Sequence, residues 1–174
     1  MTRSPEEHAP SIRLLLPADA PAYVVLRRAM LLDAPSAFSS EPGHDRGSDP
    51  AGVATSLSGE GFAIVGGFSG NRLVAAAGLN REASSKRCHI VWIWGVYVAP
   101  EVRGQGFGRA VMQTAIAHAR TWPGVAALQL GVNERSLAAR RLYDALGFVP
   151  WGVEPDAIRV DGVSTAETHM RLSW

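Results

Sequence analysis

Cysteine is almost absent: Cys88 stands alone among 174 residues, which excludes an internal disulfide and any zinc site built on several thiolates. The five histidines, His8, His44, His89, His118 and His169, never recur as HxxxH or HExxH, so no helix presents a histidine pair to a metal and none is expected. Long apolar runs are missing too. No uncharged stretch reaches the ~18 residues of a membrane helix, and the start MTRSPEEHAPS lacks the apolar segment of an export signal. A cytoplasmic location away from membranes is the expectation. Excess charge of either sign is also lacking. Lys+Arg 17 against Asp+Glu 16 leaves no field to attract nucleic acid or an anionic surface, and neither is expected as a partner.

What is present is a globular composition, 47% hydrophobic and 19% charged, enough to build one core. Residues 1–174 read as one domain, with residues 1–10 expected as a flexible leader. Ile12 to Leu16 reads as a strand, and Asp19 after Pro17 is an N-cap candidate for a helix carrying Val24, Val25, Leu26, Met30 and Leu31 that ends before Pro35. The segment PSAFSSEPGHDRGSDP reads as a loop, followed by a short helix from about Asp49 to Leu57 with Pro50 in its first turn.

Phe62 to Phe68 and Leu73 to Leu79, joined by Ser69-Gly70-Asn71-Arg72, predict a β-hairpin. Cys88 to Val98 is rich in β-branched and aromatic residues and predicts a central strand, with Gly95 marking a bulge or a close backbone approach. A helix over about Gln105 to Thr121 buries Val111, Met112, Ala115, Ile116 and Ala119 on one stripe. Val125 to Val132 predicts a strand closed by Asn133. Glu134 to Leu146 predicts a helix with Leu137, Ala138, Leu142 and Ala145 on one side, stopped at Gly147. Phe148 to Val153 reads as a strand, and Ile158 to Leu172 as a hairpin turning at Asp161-Gly162. The order is that of a mixed α/β sheet with helices on its faces.

The sharpest local signal is VYVAPEVRGQGFGR, residues 96–109, where a strand feeds a glycine-rich turn into a helix N-terminus. The leading N–H groups of a helix lack intrahelical partners and carry the positive end of its dipole. Glycines let an anion approach those amides, and Arg103 and Arg109 could add charge at the rim. Packing alone also accounts for some glycine turns. A Walker A loop is excluded, because Gly108 is followed by Arg109 and Ala110 rather than Lys-Ser/Thr. A dinucleotide fold fits poorly: the spacing is GxGxG, and the next strand, VAALQLGVN, holds no acidic residue.

Arg103-Gly104-Gln105-Gly106-Phe107-Gly108 resembles the R/Q-x-x-G-x-G/A signature of the GNAT superfamily of acyl-CoA-dependent N-acyltransferases. Leu142-Tyr143-Asp144-Ala145-Leu146-Gly147-Phe148 resembles that family's second signature, Y-x-x-x-GF, and Asp33 to Phe38 is similar to the end of its N-terminal helix. The resemblance implies an α/β fold: a mixed, twisted sheet of about six or seven strands flanked by about four helices, with splayed central strands. It implies acetyl-CoA as cofactor, with backbone groups of Val96 and Val98 along the pantetheine arm, the amides of Gly104, Gln105, Gly106, Phe107, Gly108 and Arg109 on the pyrophosphate, Arg103 beside them, and the Asn133 side chain fixing the arm. Asn133 equally reads as a strand-ending turn residue.

By the same resemblance Tyr143 is the acid for the departing thiolate, with a half-buried helix aromatic as its plain alternative, and a backbone N–H near Tyr97 or Val98 faces the thioester oxygen. The acceptor would be a primary amine of a small molecule or peptide, attacking directly in a ternary complex. Homodimers occur among relatives, and no interface is readable here. The general base is not legible: IVWIWGVYV carries no carboxylate, and Glu82, His89 and Glu41 compete with a solvent relay. Trp92, Trp94 and Tyr97 either line the acceptor pocket or pack in the core. A non-catalytic acyl-CoA-binding module on the same fold is the alternative reading.

Overall fold

The computed structural model describes residues 11–174; the leader expected over residues 1–10 lies outside them. Seven strands form one sheet: β1 (Ser11–Leu14), β2 (Phe62–Ser69), β3 (Arg72–Arg81), β4 (Ile90–Val98), β5 (Ala127–Asn133), β6 (Val149–Val160) and β7 (Val163–Ser173). Their order is β1-β2-β3-β4-β5-β7-β6, with β4 and β5 parallel and every other pair antiparallel. The four α-helices are α1 (Ala20–Asp33), α2 (Pro50–Leu57), α3 (Phe107–Arg120) and α4 (Leu137–Ala145). Among the described residues no helix is long and apolar enough to cross a membrane.

Local chemistry sets most boundaries. Asp49 caps α2, accepting from Ala51 N–H at 3.1 Å and Gly52 N–H at 2.9 Å, an arrangement that contributes about 1 kcal/mol. Asp19 takes the expected N-cap position of α1, but its side chain makes no cap bond to the helix. Its carboxylate accepts from Leu16 N–H at 2.7 Å and pairs with Arg13, bracing the turn before the helix. The Phe148 to Val153 strand and the following hairpin arm are one continuous β6, an edge strand that tolerates Pro150 and Pro155 because one side of an edge needs no ladder donors. It turns into β7 at Asp161-Gly162, both with positive φ.

The core lies mainly between β1–β4 and their helices and continues through Leu128, Leu130 and Val132 of β5 to Tyr143 and Met170. The α3 stripe, Val111, Met112, Ala115, Ile116 and Ala119, is buried as expected and extends to Phe107. The α1 side chains that pack inward are Tyr23, Leu26, Arg27, Met30 and Leu31, while Val25 stays exposed.

Two irregularities shape the functional half. Gly95 and Val96 of β4 stand opposite the single Ala77 of β3, so β4 bulges at Gly95, as its sequence suggests. The extra residue reverses the alternation of faces. Trp92 and Trp94 before the bulge and Tyr97 after it share the α1 face, while Val98 lies against α3. Secondly, β4 and β5 pair only at Ile90↔Ala127, Val91↔Leu128 and Trp92↔Gln129, then diverge. The central strands splay.

Candidate active site

A groove of about 740 Å³ fills the gap between the diverging strands. Its walls are Ile93 to Val98 of β4, Leu130 to Asn133 of β5, the turn into α3, and one side of α4; Ala34, Ala37 and Phe38 close its far end on the α1 side. Val96, Val98, Arg103, Gly104, Gly106, Phe107, Gly108, Arg109, Asn133 and Tyr143 all line it. Gln105 does not; its side chain is exposed and donates to the Glu101 carbonyl at 3.3 Å.

The α3 turn is shaped by backbone demand. Gly106 takes the N-cap position at φ 89°, and an added Cβ there, as at Gly104, would meet no atom within 4 Å. The first N–H bonded back in this helix is that of Ala110, to Gly106 O at 3.0 Å, so the amides of Phe107, Gly108 and Arg109 precede the helical ladder and crown the dipole's positive end. Ala99 N–H donates to Val74 O at 2.8 Å on the β3 side, so strand alternation turns the Val98 N–H and C=O toward the gap. Arg103 is held away from the turn's crown: it pairs with Asp33 at the end of α1 and donates from Nε to Val98 O at 3.0 Å. Tyr97 donates to the same Asp33 at 3.2 Å, and burial, then the Asp33 charge, pushes its phenol up to about 12.

α4 explains the second motif. Phe148 N–H donates to Tyr143 O and Gly147 N–H to Asp144 O, each at 3.0 Å, with Gly147 at φ 88°; this is a Schellman closure. Its accompanying apolar contact is Tyr143 on Phe148, centroids 6.0 Å apart. The Tyr-to-Gly-Phe spacing thus terminates the helix and fixes the tyrosine on the groove wall, where burial pushes its phenol well up. The apolar side of α4 is divided. Leu142 packs against the core while Leu137 is 62% exposed, and with Ala138 and Ala139 both border the groove.

Asn133 is buried and its amide is committed: Nδ2 donates to Ser36 O and to Thr165 Oγ1, each at 2.7 Å, and Oδ1 accepts from Arg135 N–H at 3.0 Å. It ties the segment after α1 to β5 and β7. The base candidates lie off the groove. Glu82 accepts from Trp92 Nε1 at 2.8 Å and from Arg87 at 3.2 Å, Glu41 borders a separate cavity of about 310 Å³, and His89 precedes β4.

One carboxylate that the sequence did not single out stands at the gap. Glu167 of β7 lies across Gly131, where an added Cβ would overlap its carboxylate and come within 3.1 Å of its Cγ. Burial, opposed by His169 and supported by Glu154, pushes its carboxyl above the ordinary range. His169 bonds Glu154 at 3.1 Å, stacks on Trp151 at 5.4 Å and meets Trp92 edge-on at 6.2 Å; its Nδ1 is buried without a partner among the described residues. The alternation Glu167-Thr168-His169 was the available signal, but only the β5–β7 register brings it to the gap.

The profile of the Acetyltransferase (GNAT) family matches residues 27–148, more than half of the chain. A mycothiol acetyltransferase of Thermobispora bispora is 44% identical over 62 residues, 36% of this chain and 21% of that protein, so the match spans about a fifth of the relative's length. Among solved structures, a GNAT-family acetyltransferase of Streptococcus pneumoniae superposes with TM-score 0.84 at 19% identity, covering 95% of this chain and 100% of that one. A Salmonella typhimurium protein solved with its cofactor acetyl-CoA gives TM-score 0.82 at 20% identity, covering 95% and 94%. At such identities the likeness concerns the fold.

Proposed function

The chain belongs to the GNAT acetyltransferase family, and from that premise we propose that it transfers an acetyl group from acetyl-CoA to a primary amine of a small molecule or peptide by direct attack in a ternary complex. The observation that carries this reading is the β4–β5 gap, which opens onto the uncapped amides of α3 at one end and the α1 face at the other. The residues fit the cofactor. Glycines at 104 and 106 leave the turn's outer surface bare, and an extended arm in the gap meets strand-edge groups of Val96 and Val98 as a further strand would.

Acetyl-CoA supplies the acetyl group as an already activated thioester. The amides of Gly104 and of Gly106 to Arg109 take the pyrophosphate, with the exposed Arg109 at the rim. Gln105 is turned aside, its N–H donating to Val102 O at 3.4 Å. Arg103, bonded to Asp33, holds the turn against the end of α1, and Asn133 positions the opposite wall through Ser36 and Thr165 rather than by spare donors. The Val98 N–H faces the thioester oxygen. Tyr143 keeps its proton in this buried wall and donates it toward the departing sulfur. Burial makes the phenol a weaker acid, so this donation accompanies the build-up of charge on the sulfur rather than preceding it.

Thiol release from acetyl-CoA against a panel of amines and short peptides, with acetyl-CoA binding followed by calorimetry, tests the reading. Turnover with one acceptor class supports it. Tight binding with no release on any acceptor transfers the chain to the non-catalytic acyl-CoA-binding class. Tyr143→Phe is expected to lower kcat about 100-fold with acetyl-CoA affinity intact; an unchanged kcat removes Tyr143 from the chemistry.

A further inference from the structure

We propose that Glu167 of β7 is the base that takes a proton from the acceptor ammonium, and that the amine enters from the α1 face at the Phe38 end of the groove. This inference rests on the acetyl-transfer reading and adds to it a residue from a strand outside both sequence motifs.

Three observations converge on it. First, face: Asn133 bonds Ser36 just after α1, its register partner across the ladder is Glu167, and cross-strand partners share a face. Gly131 and His169, the next same-face pair, follow suit, and His169 meets Trp92 of β4. Secondly, position: Trp92↔Gln129 is the last β4–β5 pair, so Gly131, two residues on, is where the gap has opened, and the Glu167 carboxylate lies across Gly131. The glycine is what admits it there. Thirdly, chemistry: the groove passes from the α3–α4 side through this gap to Phe38 with Gly131 on its wall, so a thioester in it and an amine on the α1 face meet near the residue over which the Glu167 carboxylate lies. The groups facing the carboxylate are Glu154 from β6 and His169 from β7, while β5 presents Gln129, Gly131 and Asn133 and β4 presents Trp92, none of which titrates as an acid or base here. Half-burial and the Glu154 charge raise the carboxyl's proton affinity, which suits a base for an ammonium better than an exposed glutamate would.

The step balances. Ionised Glu167 takes one proton from the ammonium, and the freed nitrogen lone pair forms the C–N bond as the C–S bond breaks. The sulfur leaves with its electron pair and takes the Tyr143 proton. The second proton lost by nitrogen restores Tyr143 through solvent, and Glu167 discharges its own to solvent, so the net products are amide, CoA thiol and one proton.

The test compares wild type, Glu167→Gln and Gly131→Ala with acetyl-CoA and 2-phenylethylamine, tryptamine and cadaverine as amine probes. Glu167→Gln keeps the shape of the side chain and is expected to lower kcat about 100-fold at neutral pH with acetyl-CoA affinity unchanged. Its rate should then climb about tenfold per pH unit with the free-amine fraction, whereas wild type shows an acidic limb set by the carboxylate. Gly131→Ala displaces the carboxylate with a single methyl and should show the same altered pH profile. A Glu167→Gln variant with wild-type kcat and acidic limb overturns the assignment while leaving acetyl transfer standing. Wild type that binds acetyl-CoA but turns over none of the probes counts against both.

Discussion

Two glycines of one turn, Gly106 and Gly108, do different things at the residue scale. Gly106 is bound to its place by φ 89°, a conformation that costs an ordinary residue about 1–2 kcal/mol, although space for a Cβ is free. Gly108 has no such backbone constraint; a Cβ there would sit 3.4 Å from Leu142 and 3.5 Å from Val98, ordinary contact. Gly106→Ala is therefore expected to lose about 1–2 kcal/mol in urea denaturation, and Gly108→Ala to stay within about 0.5 kcal/mol of wild type, since alanine is the better helix former. Equal losses would show that the turn is limited by packing instead. The tyrosine motif divides similarly: its spacing is accounted for by helix closure, and only the wall position of the ring connects it to chemistry.

Elements are tied to the site by one buried ion pair. Arg27 of α1 bonds Asp45 twice, at 2.8 and 3.0 Å, pinning the long α1–α2 loop beneath the β4 bulge, with the guanidinium over Phe38 and Trp94. Burial works against the Asp45 charge, but hydrogen bonds from Arg27, its positive charge, and donors from Ser40 and Gly47 outweigh it and hold the carboxyl below its ordinary value. Removing Arg27 as Arg27→Met strands that charge and is expected to cost about 3–5 kcal/mol in denaturation at pH 7. The depressed carboxyl contributes stability in full above its unfolded value near ~3.9 and loses it as pH falls through the lower folded value. Asp45→Asn should accordingly flatten the stability profile below about pH 4; an unaltered acid limb would assign it to other carboxylates. This pair was not legible in the sequence, because Arg27 and Asp45 belong to separate segments that carry no shared pattern. What was legible is local: the hairpins, both motifs, the α3 stripe and the bulge at Gly95 each announce themselves within a few residues. The faces of Trp92, Trp94 and Tyr97 were not, since one inserted residue reverses alternation. Glu167 was hidden for a related reason, as its place depends on the β5–β7 register and on Gly131 far away in the chain.

The whole molecule is a sheet nearly cut in two. β1–β4 with α1, α2 and α3 form one half, β5–β7 with α4 the other, and three residue pairs of β4 and β5 join them before the strands part. The contacts of Asn133 with Ser36 and Thr165 span the parted end, but the strand-edge groups facing the gap find no ladder across it. A ligand lying along both walls supplies that ladder, so its binding energy appears as cohesion between the halves. At 100 times its dissociation constant it would add about 2.7 kcal/mol, an upward shift in Tm of about 5–10 °C for a chain of this size. Hydrogen exchange locates the effect: acetyl-CoA should slow exchange on β4 from Ile93 to Val98 and on β5 from Leu130 to Asn133 together, as well as at the α3 turn. Protection of the α3 turn alone would mean that the pyrophosphate is held while the arm lies outside the gap. The thioester would then never reach the carboxylate over Gly131, and the splay would have to be explained by something other than the ligand.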